Sequence, residues 1–159
     1  MSETADIRTE LSRRLKGNVL LIGIGNTLRG DDSAGPAVIA LLEGKVSAGL
    51  LDAGEVPESY FSRILDAQAD TIAVIDAADF GAAPGDVAIL EMEHIAGRSA
   101  STHQMALDLF FRYIKENSQA EMFALGIQPA RIAFGEAMSP EVKASVNALA
   151  ELLQDLLRK

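Results

Sequence analysis

The sequence contains no cysteine. Disulfides are therefore excluded, as is any metal site held by the chain's own thiolates. Histidine is almost as scarce, with only His94 and His103, so a metal bound here must rely on oxygen ligands and at most those imidazoles. Positive charge is short too: 14 lysines and arginines stand against 23 acids, a formal charge of −9. That balance disfavours sequence-independent binding to nucleic-acid phosphates or to an anionic membrane surface. No apolar run approaches the ~20 residues that span a bilayer. The opening stretch, MSETADIRTELSRRLKG, lacks the apolar centre of a signal peptide. There is no Gly-x-Ser-x-Gly elbow and no His-Glu-x-x-His pair, so serine-nucleophile and zincin-type hydrolysis find no support. These absences point to a cytoplasmic protein with no nucleic-acid partner and no membrane insertion.

The 159 residues, 48% of them hydrophobic, suit a single domain over 1–159 with a sizeable core. Residues 1–17 read as a short amphipathic helical extension ending at Gly17. Beyond it, strand-like and helix-like segments alternate. Strands are expected at 18–25, 49–54, 71–79, 87–93 and 122–128, with 130–136 extending or bending the last. Helices are expected at 33–44, 57–67, 101–117 and 139–159. The 101–117 segment carries Met105, Leu109, Phe110, Tyr113 and Ile114 at helical spacing. Ser139 is placed as an N-cap before Pro140. Repeated β-α units predict an α/β fold, a three-layer α/β/α sandwich around a mostly parallel twisted sheet of about five strands. Ligands in such sheets bind beyond the carboxyl ends of the strands. Asp31 and Asp32, Asp52, and Asp76 and Asp79 follow the first three predicted strands, so all five should meet at that edge.

Gly23-x-Gly25, which leads into the stretch GNTLRGDDSAG (25–35), is the Gly-x-Gly of a nucleotide-binding turn, but Leu28 stands where the third glycine is needed. Two acids at that turn would also repel a pyrophosphate. A cation fits better. Asp32, Asp76 and His103 offer two carboxylates and an imidazole, a donor set that Ni²⁺ or Zn²⁺ accepts. A helix N-terminus would let Asp32 stay ionised without a metal. Asp76 directly follows the apolar run IAVI and must be solvated or partnered. Taken singly, Asp31, Asp32 and Asp79 also suit N-cap or turn roles. Asn26 suits either a turn cap or a contact to substrate backbone. His94 reads as an exposed loop residue.

Taken together, GIGNTLRGDDSAG, IDAAD, THQM and LGIQP resemble the hydrogenase maturation endopeptidases, in particular the branch that processes the large subunit of formate-hydrogenlyase-type hydrogenases (hydrogenase 3). The likeness covers about residues 18 to 157. It implies an α/β/α sandwich and a monomer. It also implies a peptidase that removes a short C-terminal peptide from the nickel-loaded precursor of a nickel–iron hydrogenase large subunit. Nickel would arrive on the precursor's own cysteines rather than be held tightly by the free enzyme. Carried over by position, the metal-probing residues are Asp32, Asp76 and His103. Asp31 joins them as a catalytic candidate, and Gly25, Asn26, Asp52, Gly54 and Asp79 are candidate substrate contacts. Two mechanisms stay open: nickel polarises the scissile carbonyl or activates water, or it serves only for recognition while Asp31, Asp32 or Asp76 is the general base, as in an aspartyl protease. The competing class is a non-enzymatic nickel chaperone or sensor. The sequence departs from the family's usual Asp-Gly-Gly after the second strand: Ala53 occupies the middle position and would be strained if positive φ were required there.

Overall fold

The computed structural model describes residues 3–95 and 104–159. The expectations for His103 and for the rest of 96–103 lie outside the described residues. Strands β1 (Val19–Ile24) and β3 (Thr71–Ala77) are buried at every position, because helices cover both faces of the sheet. That burial explains why they read as continuous apolar runs rather than alternating ones. Alternation survives in which core each residue joins. Leu21, Ala73 and Ile75 enter one core with Val38, Leu42, Val146 and Leu153, while Leu20, Ile22, Ile72 and Val74 enter the other with Ile64, Leu107 and Phe110.

The sheet has five strands in the order β2-β1-β3-β5-β4, with β2 at Gly49–Gly54, β4 at Val87–Leu90 and β5 at Glu121–Ile127. Strands β2, β1, β3 and β5 are parallel, and β4 runs antiparallel to β5. Helices α1 (Glu3–Arg14), α2 (Ala34–Leu42) and α6 (Pro140–Leu156) supply one outer layer. Helices α3 (Phe61–Asp66), α4 (Met92–Ile95) and α5 (Gln104–Asn117) supply the other. The three-layer sandwich expected from the β-α alternation is the fold observed. From β1 the chain winds outward to β2 on one side and, through β3, to β5 on the other. The topological switch point therefore lies between the carboxyl ends of β1 and β3.

The N-terminal extension is a packing element. Leu11 on α1 is fully buried, the Arg14 guanidinium lies 4.4 Å from the centre of the Phe123 ring, and Arg14 also pairs with Glu91 at 2.9 Å. No helix among the described residues is long and apolar enough to cross a membrane.

Several local expectations change. The strand expected over 87–93 ends at Leu90, and Met92–Ile95 is helical, so the exposed His94 sits on a helix rather than in a loop. Residues 130–136 neither extend nor bend β5; they form an irregular loop. The segment expected as a helix from 33 is preceded by a 3-10 turn, Gly30–Ser33, and that expected over 57–67 begins with another, Pro57–Tyr60. On α5 the buried face is Leu107, Phe110 and Ile114, whereas Leu109 and Tyr113 are exposed. Tyr113 instead stacks on Phe61 with 4.2 Å between ring centres. Ala53 escapes strain, because Gln68 is the one non-glycine with positive φ among the described residues. In the bulged β1–β2 register Asp52 pairs with Gly23 and Gly54 with Ile24. The positive φ falls on Gly54, at 56°.

Gly35 lets α2 settle onto the switch point. A Cβ there would stand 2.3 Å from the Ile75 carbonyl oxygen and 2.5 Å from that of Ile24, both backbone atoms that cannot swing aside. Glycine to alanine normally favours a helix. Here Gly35→Ala should instead destabilise the protein by about 2–3 kcal/mol through overpacking, measured by urea unfolding.

Candidate active site at the carboxyl ends of β1 and β3

Asp31 and Asp32 are adjacent in sequence and both fully buried, yet their surroundings are opposite. In the 3-10 turn, Asp31 faces the loop between β5 and α6. Its Oδ2 accepts hydrogen bonds from the amides of Ala130 (2.7 Å) and Arg131 (3.0 Å). Its Oδ1 accepts one from the Ser139 amide at 2.7 Å, and the Ser139 hydroxyl lies 3.0 and 2.9 Å from the two oxygens. Burial pushes the Asp31 carboxyl up, but the hydrogen bonds from Ser139, Arg131 and Ala130 outweigh it and hold the group below its ordinary value. Asp31 was a catalytic candidate; the structure gives it the work of an anchor. Ser139 does occupy the N-cap position of α6, but its side chain makes no capping bond. Its hydroxyl serves Asp31 instead.

Asp32 lacks that support. Its Oδ2 accepts one hydrogen bond, from the Asn26 amide at 3.0 Å, and its buried Oδ1 has no hydrogen-bond partner among the described residues. Burial is the largest influence and raises the carboxyl to about 6, opposed by the Asn26 amide and by Arg29, and reinforced by the charge of Glu55. A helix N-terminus was expected to keep Asp32 comfortably ionised. Asp32 lies in the 3-10 turn that leads into α2, and burial raises it there nonetheless. Gly25 makes this placement possible. Its φ is 147°, and a Cβ would lie 1.8 Å from the Asp32 carbonyl oxygen.

Asp76 is the penultimate residue of β3, one beyond Ile75, the partner of Gly23 in the sheet, and is fully buried. It therefore stands level with Ile24, beside the turn that carries Asp32. The remaining candidates shape loops. Asp52 accepts from its neighbour Gly54 (3.0 Å), and Asp79 accepts from Gly81 (3.1 Å) and from the Gln128 side chain (3.2 Å). Gln128 in turn accepts from the amides of Phe80 and Ala82, so the Gln of LGIQP ties the β3 loop to the end of β5. The Asn26 side chain accepts from Leu28 N at 2.8 Å and donates to Glu55 at 3.2 Å, which makes it a turn cap. The Gly54 carbonyl accepts from Gly25 N at 2.8 Å.

Glu55 and Arg29 were not foreseen. Both are charged residues in strand-end loops, so their position in the chain was a signal, but nothing in the sequence tells which way a loop residue points. Among the described residues no group of three or more acid or imidazole side chains is gathered tightly enough to hold an ion. Asp32 and Asp76 lie near the carboxyl ends of the neighbouring strands β1 and β3, and His103 lies outside the described residues.

Comparison with known proteins identifies a family and a shared fold. The family model for "hydrogenase maturation protease" matches residues 38–156. The hydrogenase 3 maturation protease of Escherichia coli K12 is 31% identical over 142 residues, covering 85% of this chain and 88% of that protein. The crystal structure of a nickel–iron hydrogenase maturation protease from Thermococcus kodakarensis superposes with a TM-score of 0.84 at 32% identity, over 93% of this chain and 98% of that one. The solution structure of an endopeptidase from Escherichia coli gives 0.78 at 29% identity, over 87% and 90%.

The two aspartates should respond oppositely to substitution. Asp31→Ala should cost on the order of 3 kcal/mol, because it strands buried donors. Since its folded-state pKa is lowered, the stabilisation is full above the unfolded value near 3.8 and fades as pH falls through the folded value. Asp32 is raised from 3.8 to about 6, so its ionisation opposes folding, fully so above about pH 6 and not at all below the unfolded pKa. Asp32→Asn should therefore stabilise the protein by on the order of 3 kcal/mol at pH 8 and show no such gain at pH 3.5. Urea unfolding at the two pH values checks both.

Proposed function

The chain belongs to the hydrogenase maturation proteases, and we propose that it removes a short C-terminal peptide from the nickel-loaded precursor of a nickel–iron hydrogenase large subunit. The observation that carries this reading is the Asp32 carboxylate: buried at the topological switch point, raised to about 6, and with one buried oxygen that has no hydrogen-bond partner among the described residues. Buried acids that fold at a cost to stability are characteristic of functional sites. Nickel enters as cargo of the substrate. Asp32 and Asp76 offer it hard oxygen donors, and His103 completes the set that divalent nickel accepts.

Hydrolysis requires water to add to the scissile carbonyl while a base takes its proton and the departing amine receives one. A carboxylate with a pKa about 6 is mostly ionised at neutral pH yet basic enough to take that proton, so Asp32 is suited to both tasks. Asp31 is not, because its oxygens are already engaged by four donor groups. Asp52, Asp79 and Asn26 support the walls of the crevice. In this reading the protein works as a cytoplasmic monomer.

The test is processing of the large-subunit precursor on a gel, nickel-loaded against nickel-free. A size drop confined to the loaded sample is the expected result. Equal cleavage of both would keep a protease and remove nickel from its mechanism. No cleavage of a competent precursor would favour a nickel-handling protein instead. Asp32→Asn, Asp76→Asn and His103→Ala should each abolish processing, and the wild-type rate should fall as pH drops through about 6.

A further inference from the structure

Two of the most exposed large apolar side chains belong to loops at this edge of the sheet and take no part in the chemistry above. Phe134 is 74% exposed and Leu28 59%. Leu28 belongs to the loop after β1, four positions before Asp32, and Phe134 to the loop between β5 and α6. The loops are joined where these residues stand: Gly135 N donates to the Leu28 carbonyl at 2.7 Å. The seam continues with Gly30 N to the Glu136 carbonyl at 3.1 Å and Asp31 N to the Arg131 carbonyl at 2.8 Å. Beneath it the Asp31 carboxylate holds Ala130, Arg131 and Ser139. Leu28 is further fixed by the Asn26 side chain. Both apolar residues thus sit on a braced ledge, each loop held by the other.

A single exposed leucine or phenylalanine needs no explanation. Two on separate loops, hydrogen-bonded backbone to backbone beside a buried reactive carboxylate, form a contact surface ordered before anything binds, which lowers the cost of binding. We propose that Leu28 and Phe134 form a docking lip that takes an apolar side chain of the precursor's C-terminal segment next to the bond to be cut. This rests on the peptidase reading above. The occupant follows from continuity with the site. A peptide whose carbonyl comes within reach of Asp32 must pass the turn that carries it. The backbone of an extended chain advances about 3.3 Å per residue, so a neighbouring side chain falls on the lip.

The experiment is steady-state processing of nickel-loaded precursor by the wild-type chain, by the double variant Leu28→Ser with Phe134→Ser, and by Phe134→Leu. Melting temperatures are recorded for all three, and sedimentation for the wild type and the double variant. The double variant should raise KM about tenfold or more, as removal of interface anchors does, with kcat changed less than about twofold and melting unaltered. Phe134→Leu, which keeps an apolar side chain, should retain most of the wild-type affinity. An unchanged KM in the double variant, or a loss confined to kcat, overturns the lip while leaving the peptidase reading intact. So does a wild-type dimer that the double variant dissolves, since the lip would then be covered by a second copy. A wild-type chain that cleaves no precursor overturns the peptidase reading, and the lip falls with it.

Discussion

One buried carboxylate holds the working edge of this protein together. Asp31 gathers the amides of Ala130, Arg131 and Ser139 and the Ser139 hydroxyl, bringing the end of β5 and the start of α6 onto the turn after β1. These contacts span about a hundred residues of sequence, so closing the loop between them carries a real entropic cost. A neutral side chain would offset less of that cost, because hydrogen bonds to a charged acceptor are roughly twice as strong as neutral ones.

The neighbouring carboxylate is left in the opposite condition. A 3-10 turn places successive side chains in different directions, so Asp31 can be saturated while Asp32 receives a single amide. The same backbone turn thus produces one acid lowered in pKa and one raised. Such divergence between adjacent titratable groups is how a site separates structural from chemical roles. Gly25 and Gly35 are the steric conditions for it: one admits the Asp32 carbonyl against β1, the other admits α2 against Ile24 and Ile75.

The crevice itself follows from topology. In a sheet ordered β2-β1-β3-β5-β4, the loops leaving β1 and β3 diverge and leave open space between strand ends. Asp76 lies near the carboxyl end of β3, and Asp32 in the 3-10 turn that follows the loop after β1. The region matched by the family model, residues 38–156, includes β3 and β5 and begins after the turn that carries Asp32.

Much of this was legible in the chain. Five strands, their approximate limits, the sandwich and the edge at which the acids collect follow from apolar runs punctuated by Gly, Pro and Asp, because burial on two faces needs such runs and the backbone needs such turns. The segment 130–136 misled because its apolar residues suggested a strand, whereas its amides are claimed by Asp31 and by the Leu28 loop. Leu109 and Tyr113 misled because helical spacing marks a face without saying how wide a stripe the sheet will cover. Sequence fixed which residues are acidic and that they follow strands. Only the tertiary structure decided which acid is saturated, which is left raised, and that Glu55 and Arg29 act on Asp32, because hydrogen bonding and desolvation depend on what distant segments bring within a few ångströms.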